Sequence, residues 1–337
     1  MGISIGPVKT RNPVFLAPMS GVTDEAFRIV AHAHGAGLVV SEMVASDALF
    51  RERPDMVRRA MGHRKLSPFV IQLAGREAKW MAEGARLAQD LGADVIDINM
   101  GCPSRQVTGG LSGSALMRNI DHAVSLIEAT VQAARVPVPV KMRLGWDHGS
   151  LNAPELARRA ENAGARMITV HGRTRCMFYS GKADWAAIRA VREAISIPLV
   201  ANGDGETAAD ARAMMAASGA DAVMFGRSCY GRPWWPGVVA EYLAPGAGRA
   251  EPGLAEERDI VLWHQDETLR LYGAALGNKT FRKHLGWTLA RLELRGLLDG
   301  EAHATLRATL LSGRDNAVVS QGIRETYARI LDERAAA

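Results

Sequence analysis

Short apolar runs alternate with amphipathic segments along the first two thirds of the chain. The runs predicted as buried strands are Pro13–Met19, Leu38–Met43, Pro68–Leu73, Val95–Met100, Val138–Leu144, Met167–His171, Pro198–Asn202 and Ala222–Phe225. Hydrophobic residues recur at helical spacing between them, in Asp24–Ala33, Glu77–Gln89, His122–Ala134, Pro154–Ala163, Trp185–Ala194 and Glu206–Ala217. Eight β/α units within roughly 230 residues predict an α/β fold of the TIM (β/α)8 barrel type. An open, doubly wound sheet is the alternative.

The remainder of the chain has a different pattern. Residues 244–253 are rich in proline and glycine, which predicts a linker. Beyond it no strand-like run occurs, and helical spacing continues in Leu254–Tyr272, Lys279–Arg295, Glu301–Leu311 and Val318–Asp332. We therefore predict a barrel domain over 1–243, a linker over 244–253 and a small all-α helical bundle domain over 254–337.

Side-chain alternation within the strands predicts which residues point into the barrel. The inward faces end in polar residues at their C-terminal ends: Gln72, Asn99, Lys141, Arg143, His171 and Asn202. The opposite faces are apolar and suited to packing under helices: Ile71, Leu73, Ile96, Ile98, Met100, Val140, Met142 and Leu144. Barrel interiors are ordinarily filled with branched apolar side chains. A polar ring at the mouth therefore indicates a polar ligand.

Cys102 lies in Asn99-Met100-Gly101-Cys102-Pro103, directly after a predicted strand. Glycine allows the backbone to turn there, and proline prevents the strand from continuing. A small buried hydrophobic residue is the ordinary role of a free cysteine. The position on a loop at the barrel mouth favours a chemical role instead.

Lys141 and the last two strand ends indicate an anionic ligand. An inward lysine must be paired or lose its charge, and the structural alternative is an ion pair with Asp97. Asn202-Gly203-Asp204 and Gly226-Arg227 follow the seventh and eighth strands, where barrel enzymes usually bind phosphate. Plain loops are the alternative. Pro18-Met19-Ser20-Gly21 ends the first strand and offers backbone to a flat ligand.

Composition excludes several classes of protein. No apolar run is long enough to span a bilayer, and the N-terminus lacks signal-peptide features. The three cysteines form neither a disulfide framework nor a CxxC pair, so we expect no metal site. We expect a cytoplasmic monomer that does not bind membranes. The net charge of +5 and pI of about 9.3 weakly favour an anionic partner.

One helix of the second domain combines an apolar face with a basic stripe. The apolar face consists of Phe281, Leu285, Thr288, Leu289 and Leu292. The neighbouring stripe consists of Lys283, His284, Trp287, Arg291 and Arg295. Basic residues interleaved with an aromatic suit phosphate contacts and base stacking. A solvated helix face is the alternative.

Several motifs together resemble the tRNA-dihydrouridine synthases. The resemblance is carried by Ala17-Pro18-Met19-Ser20-Gly21-Val22-Thr23-Asp24, Ser41-Glu42-Met43, Asn99-Met100-Gly101-Cys102-Pro103, Lys141-Met142-Arg143-Leu144-Gly145, Val170-His171-Gly172-Arg173-Thr174-Arg175, Ala201-Asn202-Gly203-Asp204, Gly226-Arg227, Gly231-Arg232-Pro233-Trp234 and Arg282-Lys283-His284. It covers nearly the whole chain, and the Arg-Lys-His stretch is most similar to the bacterial B-type branch.

The resemblance implies reduction of particular uridines in tRNA to 5,6-dihydrouridine, with tightly bound FMN and with NADPH as reductant. The implied cofactor-binding residues are Pro18, Met19, Ser20, Gln72, Lys141, His171, Asn202, Gly203, Asp204, Gly226 and Arg227. Asn99 and Arg143 would orient the uracil, and Cys102 would donate a proton to C5. The helical domain would bind tRNA through Arg282, Lys283, His284, Trp287 and Arg291. Glycines after Cys102 would let its loop close over the base.

Two other classes of function compete with this one. A flavin-dependent barrel acting on a small pyrimidine or enone would use the same barrel residues and leave the helical domain idle. A non-catalytic RNA-binding protein would account for the basic stripe, but it would leave the polar barrel mouth unexplained. The roles of Arg175 and Tyr179 stay open at this stage.

Overall fold

The computed structural model describes residues 1–61, 66–246 and 251–336. Its strands are β1 (Ser4–Ile5), β2 (Val8–Lys9), β3 (Val14–Leu16), β4 (Leu38–Ala45), β5 (Val70–Ala74), β6 (Val95–Met100), β7 (Val140–Arg143), β8 (Ile168–His171), β9 (Leu199–Asn202) and β10 (Ala222–Phe225). The helices of the barrel region are α1 (Glu25–Ala33), α2 (Ser46–Phe50), α3 (Pro54–Arg59), α4 (Ala78–Asp90), α5 (Arg105–Gly109), α6 (Ile120–Ala133), α7 (Ala153–Asn162), α8 (Arg189–Ala194), α9 (Ala208–Ser218) and α10 (Trp235–Leu243). The helices beyond are α11 (Leu254–Tyr272), α12 (Ala274–Leu294), α13 (Gly300–Leu310) and α14 (Asn316–Ala336).

Strands β3 to β10 form a closed barrel in chain order, with β10 paired in parallel to β3. The TIM-barrel prediction is confirmed, and the open sheet is excluded because the first and last barrel strands pair. The predicted runs Val95–Met100 and Ala222–Phe225 match β6 and β10 residue for residue. None of the described helices combines the length and the hydropathy of a membrane span.

The two faces of the barrel strands lie in two separate apolar clusters. Val70 and Val200, predicted to point inward, pack in the barrel interior together with Phe15. Ile71 and Val140, predicted to point outward, pack beneath the surrounding helices. The alternation derived from the sequence is therefore confirmed. It directs the polar residues at the strand ends toward the mouth of the barrel.

Several short elements escape the hydrophobic pattern. The two-residue strands β1 and β2 form an antiparallel hairpin. Ile5 from this hairpin is fully buried and belongs to the apolar cluster of the barrel interior. A two-residue strand is too short to show a hydrophobic period, so the hairpin could not be predicted from hydrophobic spacing.

The helical domain has an apolar cluster of its own and also packs on the barrel. Phe281, Leu285, Leu289 and Leu292 lie in that cluster, as the apolar face of α12 predicts. Ile260 of α11 instead belongs to the cluster of the barrel helices, because α11 packs against α1. The predicted linker falls partly on residues 247–250, which lie outside the described residues. The division into domains stays a prediction.

Two histidines meet in the interface between the barrel and the helical domain. His264 of α11 and His284 of α12 are 4% and 2% exposed, with ring centroids 4.5 Å apart. The ring of Phe27 from α1 lies 5.4 Å from each of them. Burial, with Lys283 nearby, lowers the pKa of His264 to about 3 and keeps the ring neutral at physiological pH.

Replacing His264 should change how stability depends on pH. The unfolded chain takes up a proton on this histidine below about pH 6.5 and the folded chain does not, so acidification favours unfolding. Between about pH 7.5 and pH 5 this costs the wild type about 2 kcal/mol for one histidine. His264→Phe keeps a ring against Phe27 and should lose that much less free energy of unfolding over this range.

Urea unfolding at both pH values measures this difference. Asp24 and Asp97 have pKa values raised by burial, to about 6 and about 7, so acidification stabilises the fold through them. Both carboxyls are present in wild type and variant, so their contribution cancels in the comparison. Equal pH dependence of the two proteins would show that His264 is not held neutral.

Candidate active site

Parallel pairing brings the polar strand ends together at one end of the barrel. In the register, Gln72 of β5 lies beside Asp97 of β6, and Asn99 beside Lys141 of β7. The same ladder continues from Arg143 to His171 of β8 and on to Asn202 of β9. Because these strands share one direction, their C-terminal ends form a single mouth.

Gln72, Asp97 and Asn99 form a buried chain of hydrogen bonds. Gln72 Nε2 donates to Asp97 Oδ2 at 2.6 Å, and Asn99 Nδ2 donates to Gln72 Oε1 at 2.7 Å. The three side chains are between 1% and 8% exposed. Burial raises the pKa of Asp97 to about 7, against the hydrogen bond from Gln72 and the attraction of Lys141.

Cys102 stands beside this chain with its peptide groups fixed on both sides. Its N–H donates to Asn99 Oδ1 at 3.0 Å. Its carbonyl oxygen accepts from the Ser114 hydroxyl at 2.7 Å. Burial raises the pKa of the half-buried Cys102 thiol above its ordinary value. The thiol is therefore protonated at neutral pH, as a proton donor must be.

The segment after Cys102 differs from the expected mobile loop. It folds into α5 and a short 3-10 helix, Gly113–Arg118. Gly113 has φ +61°, and a Cβ there would come within 2.9 Å of the Cys102 carbonyl oxygen. Gly113 thereby permits close packing against Cys102, whereas a Cβ on Gly109 would meet nothing within 4 Å.

Lys141 points into the mouth and contacts Asn202. Its Nζ donates to Asn202 Oδ1 at 3.1 Å. Asp97 lies near enough to attract it, but within the described ranges no salt bridge joins the two. Burial lowers the pKa of Lys141 to about 8. The cation is thus held beside the mouth without a bound anionic partner, which suits an anionic ligand.

Arginine side chains surround Asp204 at the ends of β8, β9 and β10. Arg173, which is 2% exposed, donates to both carboxylate oxygens of Asp204 at 2.7 and 2.5 Å. Arg227 approaches the same carboxylate at 3.2 Å and keeps half of its side chain exposed. Although burial raises it, the hydrogen bonds from Arg173 and Ala183 hold the pKa of Asp204 below its ordinary value. His171 beside them stays neutral because burial lowers its pKa well below the usual range.

The turn after β3 lies next to the loop after β10. The N–H of Met19 donates to the Thr23 hydroxyl, and its carbonyl oxygen accepts from Val22 and Thr23. Pro18 and Ser20 are therefore the residues of this turn with backbone groups left for a ligand. A Cβ on Gly226 would lie in ordinary van der Waals contact with Met19 Sδ, at 3.4 Å, so the two loops are close neighbours.

Arg143 departs from the role expected for it. Its guanidinium, 1% exposed, donates to the carbonyl oxygens of Gly101, Thr174 and Phe178 at 2.8 to 2.9 Å. These bonds tie the Cys102 loop to the loop after β8. We infer that Arg143 positions backbone, and the expected direct contact with uracil lacks support from its geometry.

Tyr179 and Arg175, to which the sequence analysis assigned no role, lie on the loop after β8. Tyr179 is 53% exposed, and its ring lies 4.9 Å from the Arg227 guanidinium carbon. Arg175 donates to the Thr108 hydroxyl at 3.1 Å and lies over the Trp146 ring at 4.6 Å. Tyr179 therefore lies next to Arg227, and Arg175 joins the loop after β8 to α5.

The predicted basic stripe of α12 is largely an internal contact surface. His284 is buried against Phe27, so its expected contact with tRNA is wrong. The Trp287 ring stacks on Tyr230 of the barrel with centroids 3.9 Å apart, which covers one of its faces. Arg295 pairs with the buried Glu257 at 2.6 Å. Lys283 and Arg291 are half-buried, and burial lowers the pKa of Arg291.

Arg282 also makes an internal contact within the helical domain. Its Nη2 donates to the Gly313 carbonyl oxygen at 3.2 Å, in the turn between α13 and α14. Sequence reasoning assigned no site role to three groups that shape the site: Asp97, named only as a possible partner of Lys141, the buried Arg173, and Glu42, whose carboxylate accepts from the Gly21 N–H. Charged residues in otherwise apolar strands were the available signal for Asp97 and Glu42.

Comparison with known proteins identifies the family to which the chain belongs. The family model described as dihydrouridine synthase matches residues 15–327. A probable tRNA-dihydrouridine synthase of Rhizobium leguminosarum is 57% identical over 84% of this chain and 87% of its own. A tRNA-dihydrouridine synthase B of Xanthomonas axonopodis is 44% identical over 85% of this chain and 86% of its own. Morphinone reductase, solved with tetrahydroNAD, shares the fold at 15% identity, with a TM-score of 0.52 over 76% of this chain and 93% of its own. The chain belongs to the dihydrouridine synthase family of enzymes.

Proposed function

We propose that this protein reduces specific uridines in tRNA to 5,6-dihydrouridine, using FMN and NADPH. The observation that carries the proposal is the barrel mouth. There the protonated thiol of Cys102, the Lys141 ammonium bound to Asn202 and the arginines around Asp204 lie at the C-terminal ends of the barrel strands. Membership of the dihydrouridine synthase family gives this arrangement its reaction. We further propose that the protein works in the cytoplasm as a monomer.

The residues at the mouth suit FMN. Within the described ranges, the backbone N–H groups of Gly203, Gly226 and Arg227 find no acceptor. Free N–H groups after the last two barrel strands are what a phosphate needs. Arg227 adds a half-exposed guanidinium at the same place. Pro18, Ser20, Gln72, Lys141, His171, Asn202 and Asp204 would complete the cofactor site, with Met19 contributing its side chain.

Different residues at the mouth would have different roles in the reaction. FMN, once reduced by NADPH, supplies a hydride for uracil C6. Lys141 holds positive charge where negative charge develops on the bound groups. Asn99 would orient the uracil, and the Cys102 thiol would deliver a proton to C5. Since a uracil within folded tRNA is inaccessible, the base must be extruded to reach this mouth.

Oxidation of NADPH without oxygen distinguishes this proposal from the small-molecule alternative. Unmodified tRNA should accelerate the oxidation strongly, whereas free uridine and already modified tRNA should not. If a free pyrimidine or an enone accelerates the oxidation of NADPH and tRNA does not, the result would favour the small-molecule alternative and contradict the proposal. A colourless protein that binds tRNA without oxidising NADPH would point to a non-catalytic RNA-binding protein.

The helical domain is proposed to bind tRNA through Lys283 and Arg291. Each phosphate contact contributes about one unit to the slope of log affinity against log salt. Lys283→Ala and Arg291→Ala should each weaken tRNA binding and reduce that slope by about one. Binding titrations at several salt concentrations measure the slope. Full-length variants are required. A barrel ending near residue 244 would lack Ile260 and would expose the apolar surface of the barrel helices that Ile260 covers.

Arg329→Ala on α14 is the matched comparison, since Arg329 is half exposed and only loosely paired with Glu333. It removes the same charge from another helix of the domain. A slope reduced equally by Arg329→Ala would mean that the contact surface is not centred on α12. Unchanged slopes in the Lys283 and Arg291 variants would remove α12 from the tRNA interface.

A further inference from the structure

Three buried polar side chains connect a carboxylate to the peptide of Cys102. Asp97 accepts from Gln72, Gln72 accepts from Asn99, and Asn99 Oδ1 accepts from the N–H groups of Gly101 and Cys102 at 3.2 and 3.0 Å. The backbone of Gln72 is itself fixed, because its N–H donates to the Ser41 hydroxyl at 2.9 Å. The chain therefore runs from the barrel interior to the loop of the proposed proton donor.

With Asp97 ionised, this chain can run in only one direction. An ionised carboxylate accepts hydrogen bonds and cannot donate them. Gln72 must therefore turn its NH2 toward Asp97 and its oxygen toward Asn99. Asn99 must in turn present its NH2 to Gln72 and its oxygen to the Cys102 loop. A flipped Asn99 would set its NH2 against two backbone N–H groups, leaving buried donors without acceptors.

We propose that Asp97 is a positioning residue that fixes the orientation of both amides and thereby holds the Cys102 loop at the barrel mouth. The chain also leaves each amide with a second N–H for whatever binds above it. Those donors suit the carbonyl oxygens of a pyrimidine or a flavin ring. The inference rests on the proposed function only in naming Cys102 as the proton donor.

Alkylation of the three cysteines tests the inference without NADPH or tRNA, so its result does not depend on the proposed function. Iodoacetamide is applied to the purified protein at about pH 8, where Asp97 is ionised, and each cysteine is followed by mass spectrometry. Asp97→Leu removes the anchor at similar size, and Gln72→Met breaks the chain in the middle. Both should accelerate alkylation of Cys102 roughly three- to tenfold, the range expected for losing one buried hydrogen bond.

The other two cysteines and two further variants serve as controls. Exposed Cys176 should react at its wild-type rate, and fully buried Cys229 should stay unreactive unless the fold opens. Asp97→Asn keeps an acceptor for Gln72, so Cys102 should react nearly as slowly as in the wild type. Asp94→Asn should also have no effect, because Asp94 lies at the other end of β6, where it accepts from the Phe69 N–H.

Unchanged Cys102 reactivity in both Asp97→Leu and Gln72→Met would overturn the inference. So would an Asp97→Asn variant that reacts as fast as Asp97→Leu, since acceptance of the Gln72 hydrogen bond would then be irrelevant. If Cys229 becomes reactive in Asp97→Leu, that variant has opened its fold and Gln72→Met decides the question.

Discussion

In Cys102→Ala, NADPH should still reduce the bound flavin at a near-normal rate, while tRNA should reoxidise it roughly a hundred- to ten-thousand-fold more slowly. Only the second half of the reaction needs a proton at uracil C5. Asn99 and Ser114 fix the peptide groups of Cys102 beside the mouth, and burial keeps its thiol protonated. Stopped-flow absorbance of the flavin band measures both halves in one sample.

Two further variants sharpen this expectation. Cys102→Ser should restore little, because a hydroxyl of much higher pKa is a poorer acid. Cys176→Ala should behave like the wild type, since Cys176 is exposed on the loop after β8. If Cys102→Ala reoxidises with tRNA as fast as the parent, another group donates the proton.

Lys141→Ala should weaken FMN binding by roughly ten- to a hundredfold, the usual effect of losing a hydrogen bond from a charged group. Lys141 lies beside Asn202 and near Asp97, so the variant also leaves the Asp97 carboxyl without its neighbouring cation. The protein should lose its yellow colour on dialysis. Fluorescence titration of the flavin-free protein with FMN gives the dissociation constant.

Lys9→Ala is the control for this variant, because Lys9 is exposed on the short hairpin outside the barrel sheet. It removes the same charge from the chain and should leave FMN affinity unchanged. Arg227→Ala should weaken FMN binding less than Lys141→Ala, since Arg227 is half exposed and already paired with Asp204. Full retention of flavin in Lys141→Ala would contradict the assignment of the mouth as the cofactor site.

The barrel could be predicted because its strands carry a strong local signal. Val95–Met100 lies between the turn residues Gly92 and Gly101 and matches β6 residue for residue. Alternation within such a strand also gave the correct inward faces, because a period of two leaves no other choice once one face is buried. The hairpin that places Ile5 in the barrel interior offered no comparable signal.

The surroundings of the site residues could not be predicted in the same way. Hydrophobic spacing reports the main apolar face of α12, yet this helix also packs against the barrel, which buries His284 on a second face. Arg143 is drawn to three carbonyl oxygens that come from loops distant in sequence. Contacts of this kind depend on how loops distant in sequence fold over the mouth, and hydrophobic spacing within one segment cannot predict them.

The most direct test of the central claim is the dihydrouridine content of unmodified tRNA after incubation with the purified protein and NADPH. Digested nucleosides are separated and identified by mass, with Cys102→Ala and a reaction lacking NADPH as controls. The account predicts dihydrouridine at defined positions with the wild type, and almost none in either control. A yellow protein that NADPH reduces, but that leaves every uridine of the tRNA unchanged, would contradict it.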